Sequence, residues 1–366
     1  MKKMILFLIS MILIPCVMTF LFSLFSEEVA IGNNNSLENR KLGKEVLIEI
    51  NGLYKSMDVE EFVLGVLPGT IPADYDEETL KVQAILIRTN VLKEMQEKNT
   101  EDAADLSYQY LTVEERIALW GERNYEKYEK KFKQAVVETA GLVVEQENSL
   151  IMALYHEVSI GKTASAKEIL GEDISYLQSV ESSQDIEAKH YMNMICYTWQ
   201  EIQELNDGME ETQGQENAEE SKETSENSEE TSENSEETTE NSEGTMENSE
   251  GTMENSEGTM EKGKTETTAG KIAVSIPESS ENGFVKQLSV GNTIYTGDEA
   301  MTRFDLASTN FYVEEVENGI RFVCLGKGNC LGVSQYGANR MALEGKKAEE
   351  IIKYYYKGVS MVNYGS

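Results

Sequence analysis

The sequence predicts a mixed α+β fold of short strands and helices, and three observations carry that reading. Apolar and polar residues alternate in short runs bounded by glycine turns over 45–57, 142–156 and 272–326, the pattern of strands. A helical-period stripe lies between the first two, from Leu80 through Ala84, Ile87 and Val91 to Met95. Strands and helices do not alternate as βα units, which sets the chain apart from parallel doubly wound folds.

The chain begins with an apolar run from Met4 to Phe25, preceded by Lys2 and Lys3 and followed by Glu27 and Glu28. Spanning a bilayer needs about 20 such residues, and flanking lysines hold their end in the cytoplasm. A cleaved signal has a shorter apolar core and small residues at its cut site, which LFSLFSEE lacks. The expectation is a single-pass membrane protein with a cytoplasmic N-terminus and an extracytoplasmic main domain. Residues 1–28 are then the anchor, and the polar stretch over 29–44 is a linker.

EVLIEI, Asn51-Gly52 and LYKSM predict a hairpin closed by a type I′ turn. The next segment runs from Phe62 through a break at Pro68, Gly69 and Pro72 into the striped helix. Asp74 or Asp76 caps it, and Glu77 and Glu78 place negative charge in its first turn. Val82, Ile85 and Leu86 cover the face opposite the stripe, so the helix is apolar nearly all round and reads as buried. Gln83 and Arg88 fall on the edges of the stripe and need partners there, either in a polar groove or in a structural network. A long charged helical run then reaches Thr139, and LVVEQENSLIMALYH forms a second hairpin turning near Glu147 to Ser149.

Between Glu201 and Gly270 the chain holds 23 acidic and three basic residues, a net of −20 out of −34. A seven-residue unit repeats there (TSENSEE, TSENSEE, TTENSEG, TMENSEG, TMENSEG) without the two apolar positions of a coiled-coil seam. Too little apolar surface is present to offset ordering entropy, so the tract reads as a disordered insertion between two folded halves, 45–200 and 271–366. The overall charge of −34 argues against nucleic acid as a partner, because a phosphate backbone would be repelled. Gly161-Lys162-Thr163 lacks the upstream glycine of a phosphate-binding loop, and no cofactor is expected. Zinc needs about four donors, commonly Cys or His, and His156, His190 and Cys196 match no metal spacing. Cys324 and Cys330, six apart, leave a disulfide open.

Three segments carry a resemblance. GVLPGTIPADYDEETLKVQAILIRTNVL places Gly65, Val66, Pro72, Glu78, Leu80, Lys81, Gln83, Ala84, Arg88 and Thr89 where one family pattern has them. AVVETAGLVV and the stretch from His156 to Val180 supply a second block, with Gly161 and Thr163. Arg303, Leu306, Ser308, Thr309 and Phe311 lead into a third, GKGNCLGVSQYGANRMALEGKKAEEIIKYYYKGV, with Gly332, Ser334, Gln335, Tyr336 and Gly337. Together they resemble the stage II sporulation protein D and amidase-enhancer family, whose members act on or bind peptidoglycan glycan strands.

The resemblance implies a groove lined by Gln83, Arg88, His156, Thr163, Ser308, Gly332, Ser334 and Gln335, with a cell-wall amidase or other hydrolase as partner. In some relatives a cysteine of the second block joins a zinc site; Ser159 stands there in this chain. Active members cleave glycan strands as lytic transglycosylases with one acid, which must be a carboxyl kept protonated near neutral pH. The family's glutamate falls on Thr70 and its histidine on Asn329. A threonine hydroxyl holds its proton far too tightly for that step. The sequence therefore points to a glycan-strand binder without cleavage activity. The alternatives are an enzyme using a displaced carboxyl such as Glu61, Asp74 or Glu78, and a structural envelope tether.

Overall fold

A computed structural model describes residues 36–207 and 270–365. The architecture is mixed α+β, with several helices and small sheets of two or three strands. Strands β1 (Glu45–Ile50) and β2 (Leu53–Asp58) pair antiparallel across Asn51 and Gly52, with φ of 53° and 78°. A two-residue turn with both φ positive matches the right-handed twist of the strands, and asparagine and glycine tolerate it best. Helix α1 (Val59–Val66) follows, capped by Asp58, whose carboxylate accepts from Glu60 N and also from the backbone of Leu42 and Gly43. A 3-10 turn (Leu67–Gly69) then leads to α2 (Glu77–Lys98).

Helix α2 is capped by Asp76 and ends at Asn99 in the left-handed region. Its Leu80, Ala84, Ile87 and Val91 pack with α1, Phe132 and Val143, while Val82, Ile85 and Leu86 pack with residues from 144–180 and 333–359. Each large apolar side chain buried this way contributes about 1.5–3 kcal/mol. One helix thus joins two apolar clusters drawn from opposite ends of the chain.

The long helical run is two helices. Gly121, at φ 74°, ends α3 (Val113–Trp120) and starts α4 (Glu122–Glu138). Strands β3 (Leu142–Gln146) and β4 (Ser149–Leu150) form the second hairpin, turning through Glu147 and Asn148 with positive φ. Strand β5 (Tyr155–His156) and the one-turn helix α5 (Ala166–Ile169) complete this part.

A β-rich part continues with β6 (Met192–Thr198), followed by helical residues 199–207. Ile202 there is fully buried in the local core. After residue 270 come β7 (Val274–Ser279), β8 (Val285–Val290), β9 (Thr293–Thr296), α6 (Gly297–Arg303), β10 (Phe311–Val316) and β11 (Gly319–Leu325). Their sheets run β7-β8-β9 and β10-β11-β6. The register of β7 shifts between Ser275 and Glu278, flanking Pro277, which has no N–H to give to a ladder. The chain then returns through β12 (Val333–Ser334), parallel to β5, into α7 (Gln335–Leu343), α8 (Ala348–Tyr355) and β13 (Ser360–Asn363), which pairs with β3.

The membrane reading requires correction. Among the described residues no helix is long and apolar enough to cross a membrane. The apolar run over 4–25 lies outside the described residues, as does the acidic tract over 208–269. The single-pass topology, the membrane as partner and the extracytoplasmic placement thus have no spanning helix behind them among the described residues. The disulfide left open for Cys324 and Cys330 is absent: both thiols are free and buried, and Cys196 is free and exposed.

Candidate functional site

The 3-10 turn after α1 ends at Thr70, whose Oγ1 donates back to Leu67 O at 2.9 Å. The loop beyond it is held by Lys131, whose ammonium donates to the carbonyls of Ala73 and Tyr75. Asp76 N donates to Asn339 Oδ1 at 2.7 Å, and Glu78 accepts from Ala348 N at 2.9 Å. The N-terminal end of α2 is thereby fastened to α7 and α8. That contact brings the polar start of α7 over the edge of α2. Gln335 Nε2 donates to Thr70 O at 2.7 Å and to Gln83 Oε1 at 3.2 Å. Gln83 Nε2, with the Tyr155 hydroxyl beside it, keeps unused donor capacity.

The parallel pairing of β5 with β12 sets His156 beside Ser334. His156 Nδ1 lies 2.9 Å from Leu331 O. A carbonyl only accepts, so Nδ1 carries the proton and Nε2 keeps its lone pair. Nε2 is buried and has no partner among the described residues. Burial lowers the imidazole pKa; the Leu331 carbonyl and the Asp185 charge oppose that without reversing it. Asp185 is fully buried, with Oδ2 accepting from Ser159 N at 2.7 Å and Oδ1 without a partner among the described residues. Tyr75, at the rim, has its hydroxyl pKa raised by burial and then by the Glu157 and Asp74 charges, so it remains a donor.

Gln83, His156, Ser334 and Gln335 are thus drawn together around the first turn of α7, with Thr70 against them. Ser334 itself caps α7 by accepting from Gly337 N at 3.1 Å. Other expected residues lie in closed networks. Arg88 is fully buried and donates to both oxygens of Glu60 at 2.8 and 2.6 Å and to Leu142 O at 3.1 Å. Thr163 Oγ1 accepts from Val180 N, and Ser308 Oγ donates to Leu325 O at 2.7 Å. Gly332, at φ 70°, passes so close to the Leu154 carbonyl that a Cβ there would collide with it. Asn329 Oδ1 accepts from Leu331 N at 3.0 Å and so is spent on its own turn.

The carboxyls considered as displaced acids are arranged otherwise than an acid requires. Glu61 pairs with Lys55 at the surface, and Asp74 is exposed. Burial raises the Glu78 pKa, but hydrogen bonds from Lys81, Ala348 N and Lys347 outweigh it and hold the carboxyl below its ordinary range. Asp185, Glu157 and Tyr155 escaped the sequence reading, because no local spacing marks them; they meet the site only through pairing of distant segments.

A family model described as SpoIID, Stage II sporulation protein, matches residues 51–145, the stretch that includes Thr70, Gln83 and Arg88. The match supports the resemblance of this chain to the stage II sporulation protein D family. It is 24% identical to Stage II sporulation protein D of Bacillus subtilis (strain 168) over 328 residues, covering 85% of this chain and 76% of that protein. Against Stage II sporulation protein D of Bacillus amyloliquefaciens it is 24% identical over 338 residues, 90% of this chain and 81% of the relative. An uncharacterised protein of Brachyspira hyodysenteriae (strain ATCC 49526 / WA1) is 23% identical over 320 residues, 85% of this chain and 68% of that one. Thr70 and Asn329 are the neutral residues that stand, by the resemblance, where the family pattern has titratable groups.

Proposed function

We propose that this protein binds peptidoglycan glycan strands, in sporulation or wall remodelling, without cleaving them. The observation that carries the reading is the Thr70–Gln335–Gln83 contact. It supports a polar cradle assembled from the first and third motif segments, with an alcohol where glycosidic cleavage calls for a protonated carboxyl. Gln83 Nε2 supplies a donor and His156 Nε2 an acceptor, a pair suited to sugar hydroxyls and acetamides. Arg88, Thr163, Ser308, Gly332 and Ser334 serve this reading by holding the backbone that frames the cradle. The Glu77–Lys98 helix is then the buried centre of the domain. The acidic repeat, expected over 201–270, is an insertion that begins beyond the helical residues 199–207 and separates the halves expected over 45–200 and 271–366.

The test uses the full chain on purified glycan strands stripped of their peptides. The expected result is saturable binding with no soluble saccharide fragments released. Release of fragments would establish an enzyme; absence of saturable binding would leave a structural role.

A further inference from the structure

A cavity of about 430 Å³ opens between the one-turn helix α5, strand β8 and helix α6, and none of the cradle residues lines it. Its lining includes Lys167, Leu170, Phe284, Gly297, Asp298 and Thr309. Small-molecule sites span roughly 300–1,000 Å³, so the volume suits a small ligand. The walls are fixed by Glu168 of α5. One of its carboxylate oxygens accepts from Ser280 Oγ at 2.6 Å and the other from Asn282 Nδ2 at 3.0 Å. Ser280 Oγ in turn accepts from Phe284 N at 3.1 Å, and Asn282 O accepts from Asn310 Nδ2 at 2.9 Å, next to Thr309. Side chains from three segments thus hold the two walls in register.

The charges of the lining divide into committed and uncommitted groups. Glu168 is committed to Ser280 and Asn282, and Lys286 pairs with Glu278 at 3.3 Å. Lys167 and Asp298 are exposed and make no ion pair or side-chain hydrogen bond among the described residues. One ammonium and one carboxylate therefore border the cavity without partners. A third group lies deeper. Thr309 is 4% exposed, and its Oγ1 has no partner among the described residues. Its carbonyl is taken by Val285 N at 2.8 Å, so only the hydroxyl is left over. Buried hydroxyls normally find a partner. A Cβ added at Gly297 would collide with the Val285 carbonyl and stand 3.6 Å from Thr309 Cβ, so that position stays bare and Thr309 looks onto the gap. Leu170, 43% exposed, and Phe284 supply an apolar wall.

We propose that this cavity binds a small zwitterion with an apolar body, the chemistry shared by a free apolar amino acid and a short apolar peptide. The ligand's carboxylate pairs with Lys167 and its ammonium with Asp298. A polar atom of the ligand takes the Thr309 hydroxyl, while its side chain lies on Leu170 and Phe284. A ligand of one sign leaves one of the two charges unpaired and is held more weakly. An anion would also meet Glu168 and Asp298, and a cation would meet Lys167 and Lys286. The proposal is independent of the glycan reading, since it uses no residue of the cradle.

The test is isothermal titration of the full chain with leucine and with leucyl-leucine, the tighter of the two naming the source. Leucinamide lacks the carboxylate and N-acetylleucine lacks the ammonium, so each is expected to bind at least about tenfold more weakly than leucine. Lys167→Met and Asp298→Asn, both at exposed positions, should weaken the better ligand by a similar factor. Thr309→Val removes the hydroxyl at nearly constant shape. It should weaken binding and leave the melting temperature of the ligand-free protein unchanged or higher. A lower melting temperature would mark the hydroxyl as structural and overturn its role toward a ligand. Failure of both zwitterions to bind the parent overturns the proposal. So does parental affinity in Lys167→Met and Asp298→Asn, or binding of leucinamide and N-acetylleucine as tight as that of leucine.

Discussion

Gln335 Nε2 donates to the carbonyl of Thr70 at 2.7 Å, joining two residues separated by 265 positions. This contact closes the cradle and links the two ends of the fold. Gln335→Ala leaves the half-buried Thr70 carbonyl and the buried Gln83 carboxamide without their partner. The expected loss is about 1–3 kcal/mol, read from urea unfolding, together with weaker binding to glycan strands. Unchanged stability would mean that solvent replaces the glutamine freely.

Thr70→Glu returns a carboxyl to the position where the family carries its acid. Beside buried Gln335 and Gln83, that carboxyl is partly desolvated, which raises its pKa toward the range of a general acid. Release of saccharide fragments from peptide-free glycan strands is expected from this variant and not from the parent. Fragment release from the parent would refute the non-enzymatic reading instead.

The Glu60–Arg88 pair is buried on both sides, with Gly141 N also donating to Glu60. Removing one charge strands the other. Glu60→Gln is expected to cost about 3–5 kcal/mol, measured by chemical denaturation. A joint Glu60→Leu, Arg88→Met replacement should cost less than the single change, because no charge is left unpaired.

His156 makes stability depend on pH in a defined direction. Its folded pKa lies below the ordinary value of about 6.5, so in the window just below that value the unfolded chain binds more protons. Its contribution is complete above the unfolded pKa and is lost as pH falls from there toward the folded pKa. The depressed carboxyls, such as Glu78, act only at lower pH, below the usual carboxylate range. Between about pH 7 and 5 the melting temperature should fall, and His156→Asn should flatten that slope.

Burial sorts the three described cysteines. It pushes the Cys330 thiol up to about 12 and also raises Cys324, whereas Cys196 is exposed. Since the thiolate is the reactive form, alkylation at pH 8 should modify Cys196 well before either of the others. Peptide mass mapping reads the order directly, and early labelling of Cys330 would mean that the loop between β11 and β12 opens.

The two hairpin turns and the Asp76 cap were legible in the chain because each is decided within a few residues. Asn-Gly supplies two positive φ values, and an aspartate before a helix finds its N–H groups locally. The helix break at Gly121 was missed, since the flanking segments share a helical period and only backbone conformation separates them. Among the expected site residues, side-chain type was readable but direction was not. Arg88 and Gln83 sit five residues apart on one helix, yet one meets Glu60 and the other Gln335.

By itself, then, the sequence determined the local turns, the helix stripe, the motif blocks and the neutral residues at positions 70 and 329. Tertiary structure alone decided that Gln335 closes on Thr70, that Asp185 is buried near His156 and that Glu157 borders a cavity. The reason is physical. Periodicity and capping depend on neighbours along the chain. Contacts between residues more than a hundred positions apart form only when apolar burial brings their elements together.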